Sequence, residues 1–135
     1  MTFSVAGFCE RTGMVGVAIT SSSISVASRC PWVRAGVGAA STQNITDPSL
    51  GNTMLDLIAK GSSPEQAIQM VTKDRKFIDY RQLTLIDHKG QSSSFSGSKT
   101  LGTNAVAQGG GCIAAGNLLI STEIPQAIVD NVTKH

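Results

Sequence analysis

Thr2 carries the most available chemistry in this chain. It follows Met1 and opens the strand-like run Thr2-Phe3-Ser4-Val5-Ala6-Gly7-Phe8. Removal of Met1 would leave a hydroxyl and an α-amine on neighbouring atoms of one residue. That couples a nucleophile to its own base, the activation logic of a threonine paired with its terminal amine. A Met1 left in place blocks the amine. The structural alternative is a β-branched residue that opens a strand and does nothing else.

Other chemistry is scarcer. Arg29 and Arg34 flank Cys30-Pro31-Trp32-Val33. Guanidinium forks suit carboxylates and phosphates. Among apolar strands each also needs a counter-charge, so an ion pair with Asp47 or Asp56 is the structural alternative. Only two histidines occur, His88 and the last residue, His135. A Ser-His-Asp or Cys-His arrangement would therefore have to use His88. Asp87-His88-Lys89-Gly90 reads instead as a solvated hairpin turn. The three cysteines, Cys9, Cys30 and Cys112, are dispersed and read as small buried residues. Histidine and cysteine never reach zinc-ligand spacing, so no metal is implied. Gly109-Gly110-Gly111 lacks the Lys-Ser/Thr of a phosphate-binding loop and reads as a flexible loop before a strand. Gly36-x-Gly38 has no third glycine and enters no helix, so it implies no dinucleotide cofactor.

Charge and hydropathy narrow the class further. The net charge is +2 over 135 residues, a length that suits one domain over 1–135. Lys73, Arg75 and Lys76 form the one dense basic group, and Asp74 and Asp79 interrupt it. That is a solvated face rather than a nucleic-acid contact, with no aromatic stripe for bases to stack on. No apolar run reaches the roughly 18 residues of a membrane-spanning helix. The N-terminus lacks the basic and apolar regions of a secretory signal. An odd, dispersed cysteine set fits a reduced cytoplasmic protein.

The elements that position these residues follow from periodicity. Thr2 to Cys9 and Met14 to Ser21 read as two strands around a polar turn ending in Gly13. The second is nearly continuous in apolar residues and reads as buried on both faces. Ile24 to Ser28 reads as a short third strand and Pro31-Trp32 as irregular. Gly36 to Thr42 reads as a closely packed strand. Asp47-Pro48-Ser49 starts a helix that Gly61 stops. Ser63-Pro64-Glu65-Gln66 starts a second with a capping box. Gln82 to Asp87 and Gln91 to Ser96 read as strands, the second at a sheet edge. Cys112 to Asn117 and Leu118 to Ile120 follow as strand-like runs, then a helix from Thr122 to Val132. Strands, two helices, strands and one helix make an α+β pattern of helices on antiparallel sheet.

The opening hairpin, Pro31-Trp32-Val33-Arg34-Ala35-Gly36-Val37-Gly38-Ala39, Thr42-Gln43, Asn44-Ile45-Thr46-Asp47-Pro48-Ser49-Leu50-Gly51 and Gly116-Asn117 together resemble the family filed as domain of unknown function 1028. That family is similar to the N-terminal-nucleophile hydrolases. The resemblance implies a four-layer αββα sandwich with two antiparallel sheets, incomplete here at its C-terminus because family members continue further. It implies amide-bond hydrolysis with Thr2 as nucleophile and no cofactor. An anionic end of a small amide substrate would be held by Arg29 or Arg34. Backbone amides near Gly38 or Gly110 would stabilise the oxyanion, and Thr42 and Asn117 fall in the resembling motifs as substrate-binding positions. The chain has Phe95 and Val106 where family members tend to carry histidine, and Ala115 where glutamine precedes Gly-Asn. A second reading is therefore a non-catalytic binding or assembly module on the same scaffold. Open sheet edges imply a homo-oligomer in either case.

Overall fold

The computed structural model describes residues 1–134; His135 lies outside them. Eight strands form two antiparallel sheets of four. The strands are β1 (Thr2–Phe8), β2 (Val15–Ser21), β3 (Pro31–Arg34), β4 (Gly38–Asn44), β5 (Arg81–Asp87), β6 (Ser92–Ser96), β7 (Ala105–Gly109) and β8 (Cys112–Asn117). The first sheet is ordered β2-β1-β8-β7 and the second β3-β4-β5-β6. Three helices, α1 (Ser49–Ala59), α2 (Pro64–Thr72) and α3 (Ile124–Val132), complete the α+β fold.

Side-chain alternation decides which face each strand gives to which layer. Ala40, Leu83 and Leu85 meet Leu50, Met54, Leu55, Ile58, Ala67, Ile68 and Val71, so α1 and α2 cover one face of the second sheet. The neighbouring residues Ala39 and Ile86 turn the other way and meet Ala6 and Ile113 of the first sheet. On the far face of the first sheet, Ala107, Cys112 and Ala114 pack on Val129 of α3. Phe8, Val15, Val17 and Val106 pack around the sheet-to-sheet cluster. Within the second sheet, β4 and β5 approach closely at Gly38, where a Cβ would stand 2.3 Å from the carbonyl oxygen of Ile86.

Helix starts follow their local signals. Ser63 Oγ accepts from the Gln66 N–H at 3.1 Å, and Gln66 Oε1 accepts from the Ser63 N–H at 2.9 Å. That is the expected capping box, and it satisfies two donors that the first turn leaves free. Before α1, Asp47 Oδ1 accepts from the Ser49 N–H at 3.1 Å.

Several elements differ from their sequence expectation. β2 is an edge strand with Gly16, Ala18 and Thr20 exposed, not a strand buried on both faces. Val15 and Val17 face the sheet-to-sheet cluster, while the other face is left uncovered because α3 lies over β7, β8 and part of β1 instead. The expected third strand at 24–28 is a 3-10 turn, Val26–Ser28, entered through Ser25 at φ 56. Pro31 and Trp32 belong to β3, where proline is tolerated because it opens an edge strand. β7 was not anticipated. Its partner is β8, so Gly110-Gly111 is a hairpin turn, with Gly111 at φ 74, rather than a flexible loop. Leu118 to Ile120 form no strand, and Leu118 stands at φ 51.

Candidate functional site

The layer between the sheets is apolar at one end and polar at the other. Ala6, Ala39, Ile86 and Ile113 fill the first end. Toward Thr2 the inner positions become Ser4, Ser41, Gln43, Gln82 and Asn117, all buried. Such groups are costly to bury unless paired. Here they are paired with one another. Ser4 and Ser41 donate to Gln43 Oε1 at 2.7 and 2.8 Å. Gln43 Nε2 and Asn117 Nδ2 donate to Gln82 Oε1 at 2.9 and 3.1 Å. Gln82 Nε2 donates to the Gly116 carbonyl at 3.1 Å and to Ser96 Oγ at 3.2 Å.

A cavity of about 320 Å³ lies at this polar end, and Thr2, Ser21, Ser22, Arg29, Gln43 and Asn117 are among the residues that line it. Strand register brings them there. Thr2 pairs with Ser21 on one side and with Asn117 on the other. Thr2 Oγ1 and Ser21 Oγ are 2.7 Å apart.

The carbonyl oxygen of Met1 is held in a cradle of donors. The Ser22 N–H reaches it at 3.0 Å, Ser21 Oγ at 3.2 Å and Ser22 Oγ at a long 3.4 Å. Ser21 has one hydroxyl proton. While that proton goes to Met1, the 2.7 Å contact with Thr2 must be a donation from the Thr2 hydroxyl. The Met1 α-ammonium donates to Ser22 Oγ at 3.1 Å.

Charge in the cavity is of one sign. Its charged lining groups are Arg29 and the Met1 ammonium, with no Asp or Glu. Arg29 donates through Nη2 to Ser23 Oγ and the Ile24 carbonyl, each at 2.9 Å, and joins no carboxylate among the described residues.

Of the sequence-derived candidates, the cavity gathers Thr2, Arg29 and Asn117. Arg34 is bound elsewhere, paired with Asp56 at 2.7 Å. Asp47, the other proposed partner, holds Arg75 at 2.9 Å. Gly38 sits at the opposite end of β4, paired with Arg34 and Asp87, where the approach of β5 requires it. Thr42 donates to the Asp47 carbonyl at 3.2 Å and fastens the approach to α1. Gly110 lies at the far end of the β7–β8 hairpin from Asn117. Sequence reasoning missed Ser21, Ser22, Gln43 and Gln82. The available signal was polar side chains at alternate positions of otherwise apolar strands.

The cysteines offer no rival centre. Burial pushes the Cys112 thiol up, away from the reactive thiolate. Cys9 is held below its ordinary value by the Thr12 hydroxyl, but it stands half-buried at the β1–β2 turn with no base described beside it. Cys30 lines the cavity with its sulfur 3.5 Å from Thr46 Oγ1. Among the described residues no three His, Cys, Asp or Glu gather as a metal site. No described helix is long and apolar enough to cross a membrane.

Comparison with known proteins places the chain in a family. No functionally curated protein matches the sequence. The crystal structure of protein SPO2555 from Silicibacter pomeroyi, assigned to the same family, matches with a TM-score of 0.95 at 26% identity. The match covers 99% of this chain and 62% of that one, so this chain spans less than two thirds of the solved relative. The model of the family of unknown function DUF1028 matches residues 2–135. The chain belongs to that family, described as one of unknown function.

Proposed function

We propose that this chain is an N-terminal-nucleophile hydrolase acting on small amides that bear an anionic group. The observation that carries the reading is the Met1 carbonyl, cradled by Ser22 N–H and Ser21 Oγ beside the Thr2 hydroxyl. Removal of Met1 frees the Thr2 amine and empties the cradle at one stroke. A substrate carbonyl entering there meets donors already aimed at its oxygen, the requirement for stabilising an oxyanion.

The steps then balance. Thr2 Oγ1 bonds to the carbonyl carbon, and its proton passes to the α-amine. The C–N bond breaks, and the nitrogen leaves with that proton as a free amine. Water, deprotonated by the same amine, cleaves the resulting ester and restores Thr2. Arg29 supplies the positive charge for the anionic group, since nothing acidic in the cavity neutralises it.

The layer contacts support assigning 1–135 to one αββα four-layer domain of this hydrolase class. The three free cysteines support a reducing, cytoplasmic setting. Hydrolysis of N-acyl amino acids by protein freed of Met1, and its loss in Thr2→Ala, tests the enzymatic reading.

The second reading, a non-catalytic assembly module, rests on the outer face of the first sheet. Phe3, Val5 and Ala18 border a shallow apolar groove beside Ile128 that α3 leaves open. A second copy covering it would make the homo-oligomer. Sedimentation of a monomer over a wide concentration range would count against it.

A further inference from the structure

We propose that Asn117 is the residue that reads the substrate's amide nitrogen. Its Oδ1 accepts the scissile N–H, so the site selects amides of the N-acyl amino acid class over the matching esters. This rests on the hydrolase reading above and adds the substrate class to it.

The argument starts from one backbone carbonyl. A side-chain amide can be turned end for end, and only its hydrogen-bond partners say which end is which. The Gly116 carbonyl can only accept, so the group 3.1 Å from it must be Gln82 Nε2. Gln82 Oε1 then points the other way and can only accept. Both neighbours of that oxygen must donate, which sets Gln43 Nε2 and Asn117 Nδ2 against it. Gln43 Oε1 in turn receives the Ser4 and Ser41 hydroxyls. One fixed acceptor thus sets the polarity of three buried amides.

The consequence falls on Asn117. Its Nδ2 is committed to Gln82, so its other end is an oxygen. The residue is 3% exposed and lines the cavity. Oδ1 accepts no hydrogen bond from any described residue. It is not sealed in either, because among the described residues the one fully buried polar side-chain atom without a partner is Thr84 Oγ1. A nearly buried acceptor at the cavity wall, paired in register with Thr2, calls for a donor from the ligand.

The other groups define what that ligand is. Arg29 calls for an anion. The vacated Met1 cradle calls for a carbonyl oxygen. An acyl group joined through N–H to a carbon bearing a carboxylate supplies all three. An ester supplies the carbonyl and the carboxylate but sets an oxygen lone pair against Asn117 Oδ1. A site that loses its only donor in this way discriminates strongly.

The test uses protein freed of Met1 and carrying Thr2→Ala, so that neither ligand turns over. N-acetylglycine and acetoxyacetate differ in a single N–H for O exchange, and their binding is compared by calorimetry. The expected result is roughly tenfold or greater preference for the amide, abolished in Asn117→Leu. N-acetylsarcosine, which lacks the N–H, should bind as poorly as the ester. That comparison needs no second substitution and stands if Asn117→Leu fails to fold. Equal affinity for amide and ester, a preference surviving in Asn117→Leu, or no binding of any of the three overturns the inference. The nucleophile itself is judged separately, by turnover in protein with Thr2 intact.

Discussion

Ser21 and Ser22 do for a carbonyl oxygen what neither residue announces in sequence. They sit in Ser21-Ser22-Ser23, a triplet that reads as a strand breaker, yet one ends β2 and both hold the carbonyl that precedes Thr2. In the proposed hydrolysis, Ser21 Oγ would donate to the substrate carbonyl once Met1 is gone. Ser21→Ala should therefore lower kcat on the order of 10²-fold with little change in KM, the pattern of an interaction made in the transition state. A loss confined to KM, read from steady-state kinetics, would assign Ser21 to ground-state binding instead. Thr2, Arg29 and Asn117 were legible because residue type and motif marked them. Gln43 and Gln82 were not, since a polar residue in a strand reads as facing water. Only the presence of a second sheet shows that they face inward.

Elements place these residues, and α1 bears on the site through Trp32. Trp32 of β3 donates its indole N–H to the Arg29 carbonyl at 3.4 Å and lies against Gly51 of α1. A Cβ at Gly51 would stand 2.2 Å from the Trp32 ring. Gly51→Ala should cost about 2 kcal/mol through overpacking, measured by urea denaturation. It should also weaken ligand binding, because the displaced indole carries the Arg29 backbone with it. The start of α1 is tied by Asp47. Burial alone would raise that carboxyl, but hydrogen bonds from Ser49 and the Arg75 guanidinium outweigh it and hold the group below its ordinary value. A carboxylate depressed in the folded state stabilises at neutral pH, and this is lost as pH falls through the depressed value. Arg75→Met should then cost about 1 kcal/mol near neutrality, a modest figure because the pair is partly exposed. The gap from wild type should narrow as denaturation is repeated at pH values falling below the ordinary carboxylate range. The helices themselves were legible because capping is local: Ser63 and Gln66 lie within one turn.

At the scale of the molecule, the decisive contacts are non-local. β1 finds β8 from the other end of the chain and places Asn117 beside Thr2. β4 is joined to β5 only after two helices intervene. The α+β class followed from the order of strands and helices, but sheet order and register did not. β7 was missed and β2 placed too deep for the same reason. Small residues suit either face of a sheet, and the choice is made by where α3 lies. What the assembled molecule adds is a cavity at the polar end of the sheet interface, cationic and lined in part by Met1.

The most direct measurement sets amide hydrolysis against the mass of the N-terminus. Preparations differing in the fraction of chains that begin at Thr2 are assayed on one N-acyl amino acid, with Thr2→Ala as the blank. The account predicts a rate proportional to that fraction, passing through zero for chains that keep Met1. A rate independent of the fraction, or no hydrolysis when every chain begins at Thr2, would contradict it.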